Sequence, residues 1–114
     1  MKIESTIEND IGIIHISGKL IGSPETDDLH QSVDKCVRQG IKKVIVNLKE
    51  VEWMGSVGLG ALMRDLVTVC HAGGELVVSN PSEKVRNLLK ITKLNRVVKS
   101  YPDVQAAVQY FKKV

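Results

Sequence analysis

The sequence predicts an α/β fold: one domain with a mixed, mostly parallel β-sheet, an N-terminal hairpin and about four helices. The chain has 114 residues, 43% of them apolar and 25% charged, which fits a single globular domain with one core. Two short apolar runs, at 44–48 and 76–78, have the character of strands covered on both faces. Segments with helical apolar spacing separate them, and such alternation favours parallel strands. We assign residues 1–114 to this one domain.

The N-terminal segment predicts a β-hairpin followed by a loop. Residues 2–7 and 11–17 alternate as strands do, and Glu8-Asn9-Asp10 has the composition of a hairpin turn. We expect Gly18 to end the second strand and residues 19–24 to form a loop.

The first helix is predicted to start just after this loop. Ser23 has the side chain of an N-cap, and Pro24 suits the first helical position. Gly40 is expected to end the helix. The apolar residues between them recur at the spacing of one helix face: Leu29, Val33, Cys36 and Val37.

A second helix is predicted between the strands at 44–48 and 76–78. It starts near Ser56 and is expected to end at Gly73-Gly74. Its broad apolar stripe consists of Leu59, Leu62, Met63, Leu66, Val69 and Cys70.

The C-terminal part predicts two more helices with a short strand between them. Asn80 as N-cap and Pro81 at the first helical position indicate a helix start, and the inward residues are Val85, Leu88 and Leu89. A strand is expected near Val97 and Val98, and Pro102 is expected to start the last helix. The apolar side of that helix consists of Val104, Ala107, Val108 and Phe111.

Ser56 lies between glycines at the junction of a strand and a helix. The first turn of a helix has N–H groups without partners and a partial positive charge. A serine there is a preferred N-cap, and it is also a place where a phosphate could be held or added. The local pattern leaves both interpretations open.

The sequence offers little support for catalysis. The glycine-rich segment 55–60 lacks the Lys-Ser/Thr of a P-loop and does not follow G-x-G-x-x-G. The histidines have no Cys or carboxylate at ligand spacing, so we expect solvated or hydrogen-bonded side chains for His15, His30 and His71. We therefore predict no enzyme, no catalytic or metal-binding residue and no cofactor.

The composition favours a cytoplasmic protein without membrane insertion. No apolar run approaches the roughly 20 residues that cross a bilayer, and the first residues lack the apolar stretch of a signal peptide. Cys36 and Cys70 lie in predicted helices without metal or redox spacing, which favours buried free thiols.

One segment is strongly basic although the net charge of the chain is only +3. It could bind an acidic partner, but a solvated surface is the more common role of such a run. We expect no nucleic acid partner, since no stacking aromatic residue lies among these cations. They are Lys84, Arg86, Lys90, Lys93, Arg96 and Lys99.

The order of strands and helices, together with the segment around Ser56, resembles the STAS domain, a fold named for sulfate transporters and anti-sigma factor antagonists. The resemblance runs over nearly the whole chain. The segments that carry it are Gly18-Lys19-Leu20, Val46-Asn47-Leu48-Lys49-Glu50-Val51-Glu52-Trp53, Gly58-Leu59-Gly60-Ala61-Leu62, Gly73-Gly74-Glu75-Leu76, residues 85–89 and Leu94.

The resemblance to stand-alone bacterial members implies an anti-sigma factor antagonist in a partner-switching module. Their signature is similar to Asp-Ser-Ser-Gly-Leu-Gly or Asp-Ser-Thr-Gly-Leu-Gly, and the first hydroxyl residue is phosphorylated by a partner that is both anti-sigma factor and GHKL-type serine kinase. Ser56 is the matching residue. The unmodified protein would bind the kinase and free a sigma factor; phosphorylation would release it until a phosphatase acts.

Three positions depart from that pattern. Gly55 stands where Asp is usual, Val57 where the second hydroxyl is usual, and Ile21 where many antagonists carry an Asp. These changes suit an alternative that the resemblance also implies: an accessory subunit of a transport system, for example in phospholipid trafficking. Such a subunit would bind an ATPase without a phosphorylation cycle.

We expect the partner to bind around Ser56. Leu20 and Ile21 are expected to be exposed there, and Trp53 and Met54 suit either this surface or the core. The expected partner-binding residues are Leu20, Ile21, Gly22, Ser23, Trp53, Met54, Gly55, Ser56, Val57 and Gly58.

Overall fold

In the part of the chain that the structure describes, five strands lie side by side in one sheet, in the order of the chain. The first two pair antiparallel and the others pair parallel, which confirms the predicted mixed sheet with an N-terminal hairpin. The computed structural model describes residues 2–22 and 24–113, without the side chain of Lys2. The strands are β1 (Lys2–Glu8), β2 (Ile11–Leu20), β3 (Lys43–Met54), β4 (Glu75–Ser79) and β5 (Ser100–Tyr101).

The α-helices of the described residues cover both faces of the sheet. They are α1 (Glu25–Arg38), α2 (Ser56–His71), α3 (Glu83–Ile91) and α4 (Val104–Lys112), with a 3₁₀ helix at Leu94–Arg96. Side chains such as Ile14 and Val46 pack against α1, α2 and α3, whereas Ile13 and Ile45 pack against α4. Strands covered on both faces are therefore confirmed. None of the helices in this part of the chain is long and apolar enough to span a membrane.

Strands β2 and β3 are longer than predicted. Gly18 has a φ of 99° and the pairing register shifts beside it, yet pairing resumes at Lys19 and continues to Leu20. Strand β3 continues to Met54 instead of ending at residue 48. The prediction that Gly18 ends the second strand was wrong, because a glycine with positive φ permits an irregularity inside a strand.

Helix α1 begins at Glu25, one residue later than predicted. Pro24 precedes it with helical backbone angles, and Ser23, the predicted N-cap, lies outside the described residues. Gly40 follows the helix end with a φ of 78°, as expected for a residue that stops a helix.

Helices α3 and α4 both begin two residues later than predicted. Ser82, and not Asn80, caps α3: its hydroxyl accepts a hydrogen bond from the Val85 N–H at 3.2 Å. Asp103 caps α4 by accepting a hydrogen bond from the Ala106 N–H at 2.7 Å. Both prolines therefore lie before the caps, where they fix the backbone that leads into each helix.

The last strand also lies later than predicted. The N–H groups of Val97 and Val98 donate to the carbonyl oxygen of Leu94, at 3.0 and 2.9 Å, so neither is available for a sheet. Pairing with β4 occurs instead at Ser100 and Tyr101.

The two cysteines have different environments. Cys36 is buried, and burial raises the pKa of its thiol. Cys70 is exposed, contrary to the prediction, because Val69 takes the inward position on the last turns of α2. Met63 is only partly buried, although it packs against the core.

Candidate partner-binding site at the start of helix α2

Ser56 is the first residue of α2 and is exposed to solvent. The N-cap position is occupied by Gly55, which has an extended backbone and no side chain that could cap the helix. The interpretation of Ser56 as a plain N-cap was therefore wrong. Its hydroxyl lies on the first turn, beside backbone N–H groups that have no partner within the helix.

The start of α2 packs directly on the end of β2. A Cβ on Gly58 would overlap the carbonyl oxygen of Leu20 and would lie 2.9 Å from Cγ of Met54. The same carbonyl oxygen accepts a hydrogen bond from the Gly55 N–H at 3.2 Å. This close approach of helix and strand brings the loop after β2 next to Ser56.

Exposed apolar side chains surround this helix start. Ile21 is 52% exposed, Trp53 45% and Val57 58%. A Cβ built on Gly55 would lie 3.7 Å from Cγ2 of Ile21 and 3.9 Å from Nε1 of Trp53, so these two side chains flank Gly55. We name Ile21, Trp53 and Val57 the apolar rim.

Three of the other expected contact residues are buried and not exposed to a partner: Leu20, Met54 and Gly58. Leu20 and Met54 are 0% exposed, so the expectation that Leu20 is exposed was wrong and Met54 belongs to the core. Both are buried because β2 and β3 continue as paired strands to these residues. Gly58 is buried, Gly22 is half-buried, and Ser23 lies outside the described residues.

A buried acid, Asp65, joins α1 to α2. It was not among the residues predicted from the sequence. Asp65 is 0% exposed, and its Oδ1 accepts hydrogen bonds from His30 Nδ1 at 2.8 Å and Arg64 Nη1 at 3.0 Å. Arg64 also contacts Asp34 of α1 at 3.4 Å. Burial raises the pKa of the Asp65 carboxyl, and the hydrogen bonds from His30 and Arg64 oppose that shift. The burial of Asp65 could have been predicted from the sequence, because this acid comes three residues after Leu62, within the apolar stripe of α2.

We expect His30→Ala to lower the free energy of unfolding by about 1–3 kcal/mol, because Asp65 stays buried and loses a donor. His71→Ala, at an exposed position at the end of α2, should change it by less than about 0.5 kcal/mol. Urea unfolding at neutral pH measures both variants. Equal effects would contradict a structural role of the His30–Asp65 contact.

The histidine of β2, His15, forms a hydrogen bond with Asn47, which is itself held by a second hydrogen bond. Asn47 Nδ2 donates to His15 Nδ1 at 3.0 Å, and Asn47 Oδ1 accepts from the Lys49 N–H at 3.0 Å. His15, Asn47 and Lys49 belong to the lining of a cavity of about 220 Å³, to which Ser56 does not contribute. Among the described residues, no group of three His, Cys, Asp or Glu side chains could hold a metal ion.

Comparison with known proteins identifies the family. The family model of the STAS domain matches residues 2–107. The chain belongs to the STAS domain family. Over 76 residues, which are 67% of each chain, this STAS protein is 33% identical to a candidate anti-sigma factor antagonist of Thermotoga neapolitana.

Solved structures of anti-sigma factor antagonists have the same fold. The crystal structure of a candidate anti-sigma factor antagonist from Thermotoga maritima has a TM-score of 0.86 at 26% identity, covering 95% of this chain and 92% of that one. Phosphorylated SpoIIAA from Bacillus has a TM-score of 0.75 at 16% identity, covering 96% and 99%. At this identity the likeness to SpoIIAA concerns the fold alone.

Proposed function

We propose that this STAS protein is an anti-sigma factor antagonist that captures an anti-sigma partner through the surface around Ser56 and is released by phosphorylation of Ser56. The observation that carries the proposal is an exposed hydroxyl on the first turn of α2, without a capping role and next to the apolar rim. The names of the relatives support the antagonist function.

The apolar rim suits a transient protein interface. Such interfaces have an apolar centre with few charges, and tryptophan is among the residues that contribute most binding energy. Trp53 and Ile21 each have an atom within 4 Å of the position that a Cβ on Gly55 would take, and the two side chains could enter a pocket of the partner together. Leu20 and Met54, fully buried beneath them, hold this surface in place before binding.

A phosphate on Ser56 would be compatible with the folded protein. The free N–H groups and the helix dipole favour negative charge at the first turn. In a complex, the same group would bring about −1.5 to −2 charges into a contact that is otherwise apolar. Phosphorylation should therefore act on binding and leave the fold intact.

The proposed partner is a GHKL-type serine kinase that is also an anti-sigma factor, and a phosphatase restores unmodified Ser56. The chain itself is then a binding module of residues 1–114 that acts in the cytoplasm, and the kinase supplies the chemistry. Gly55, Ile21 and Val57 stand where related antagonists carry acids and a hydroxyl, so the matching kinase surface should be apolar.

Incubation with such a kinase and ATP, followed by intact-mass spectrometry, tests the proposal. The kinase is the member of this class from the same genome that the wild-type protein captures in a pull-down. Wild type should gain one phosphate and Ser56→Ala none. If wild type gains no phosphate, or Ser56→Ala gains as much as wild type, the proposed phosphorylation switch is wrong. The alternative function, an accessory subunit of a transport system, is then favoured.

Ile21→Asp should weaken capture of this kinase about tenfold, because a charge would enter an apolar contact. The melting temperature should stay nearly unchanged, since Ile21 is 52% exposed. Ile7→Asp is the matched control: Ile7 is 57% exposed and pairs with Gly12, near the opposite end of β2. Calorimetric titration that gives equal affinities for both variants would remove Ile21 from the site.

A further inference from the structure

The segment at 84–99 contains six basic residues and no acidic one. All six basic side chains are exposed. Because the whole chain has a net charge of only +3, acids outnumber bases in the rest of it. The charge of the molecule is therefore polarised, with the positive side on α3 and the turn that follows it.

Five of these cations form no ion pair with another of the described residues. Lys99 differs, since its Nζ donates to the Tyr110 hydroxyl at 2.8 Å and lies 3.7 Å from Oε2 of Glu75. We define the basic patch as these five cations and the apolar Ile91 that lies among them: Lys84, Arg86, Lys90, Ile91, Lys93 and Arg96.

The basic patch lies on the solvent side of α3 and on the segment that follows this helix, which contains Lys93 and Arg96. Val85 and Leu89 take the inward positions of this helix and are 1% and 2% exposed. Ile91 lies next to Lys90 and is 76% exposed, more than any other large apolar side chain of the described residues. Val97, just after the 3₁₀ helix, is 56% exposed. Two aliphatic side chains thus project into solvent among cations.

The end of this patch and Ser56 lie toward opposite edges of the sheet, whereas Lys84 and Arg86 lie at the start of α3, on the side where β4 ends. Helix α3 returns antiparallel to β4 before β5 begins, so its end lies near the amino ends of the parallel strands. Ser56 follows the carboxyl end of β3. This inference does not rest on the proposed function, because no residue of the basic patch belongs to the apolar rim.

We propose that the basic patch binds the surface of an anionic lipid bilayer. Each Lys or Arg near such a surface strengthens binding about fivefold. Ile91 and Val97 would enter the boundary between headgroups and acyl chains, which accepts aliphatic groups without a matching pocket. Nucleic acid suits the patch less, because no aromatic residue for stacking lies within 84–99. An acidic protein partner suits the patch less as well, because it would need an apolar groove for Ile91 and Val97 in addition to acidic groups for the cations.

Sedimentation with vesicles tests this proposal on the full chain. We expect binding to an equimolar mixture of phosphatidylcholine and phosphatidylglycerol, none to phosphatidylcholine alone, and release at high salt. Lys90→Gln with Lys93→Gln should weaken binding about fivefold for each residue. Lys112→Gln with Lys113→Gln removes the same charge at the end of α4 and should have little effect. Ile91→Ser should weaken binding about tenfold without a change of charge.

Absence of binding to the mixed vesicles would overturn the proposal, and so would equal losses in the two double variants. The proposal would also be overturned if the wild type bound polyglutamate or double-stranded DNA more tightly than vesicles. The partner of the patch would then be an acidic protein or a nucleic acid, respectively. Unchanged binding of Ile91→Ser would overturn the insertion of the aliphatic side chains. All substituted residues are exposed, and far-UV circular dichroism verifies that each variant is folded.

Discussion

Gly58→Ala should lower the free energy of unfolding by about 3 kcal/mol, a large share of the roughly 5–15 kcal/mol typical of a domain. The added Cβ would overlap the carbonyl oxygen of Leu20. That oxygen cannot move freely, because it accepts the Gly55 N–H hydrogen bond at 3.2 Å. Helix α2 would have to shift away from β2, and the buried contact with Met54 would be lost.

Gly60→Ala is the matched control for this variant. A Cβ there meets nothing within 4 Å, and the residue is exposed on the same helix. Alanine favours the helix by about 1 kcal/mol over glycine, so this variant should be more stable than wild type. Chemical denaturation measures both changes. A Gly58→Ala variant as stable as Gly60→Ala would contradict the close packing of α2 on β2.

Phosphorylation of Ser56 should weaken binding of the kinase partner about a hundredfold, which corresponds to about 2.8 kcal/mol. The phosphate would have to be desolvated between the apolar side chains of Ile21, Trp53 and Val57. Ser56→Asp carries one negative charge, so we expect at least a tenfold loss. Ser56→Ala should bind as tightly as unmodified wild type and should stay bound in the presence of ATP.

Ser56→Asn separates charge from size in this experiment, because asparagine has nearly the shape of aspartate and no charge. Calorimetric titration of the partner with each variant gives the affinities, and thermal unfolding verifies that each variant is folded. If Ser56→Asn loses as much affinity as Ser56→Asp, the charge is not the cause. A phosphorylated protein that binds as well as the unmodified one would contradict the switch.

The order of strands and helices could be predicted from the sequence because it depends on local patterns. The apolar runs at 44–48 and 76–78 and the stripe of α2 differ in period, and the period distinguishes strand from helix within a few residues. The position of Ser56 at a strand–helix junction is equally local. The resemblance to the STAS domain rested on these segments, and the family match confirmed it.

The ends of β2 and β3 could not be predicted, since they depend on pairing between residues far apart in the chain. Leu20 and Met54 are buried because β2 pairs with β3 beyond the irregularity at Gly18, and this pairing decides which side chains remain exposed. The interpretation of Ser56 as an N-cap was wrong for the same reason: β3 extends to Met54, so Gly55 occupies the N-cap position of α2.

The tertiary structure alone decided which polar groups meet. His30 and Asp65 are 35 residues apart in the chain and 2.8 Å apart in space, because α1 and α2 pack side by side on one face of the sheet. A local pattern shows that Asp65 interrupts an apolar stripe, but its partner lies on another helix. The sequence by itself thus determined the elements, their order and the phosphate-acceptor candidate. Packing between distant segments decided which side chains are exposed around Ser56 and which ones, such as Leu20 and Met54, are buried near it.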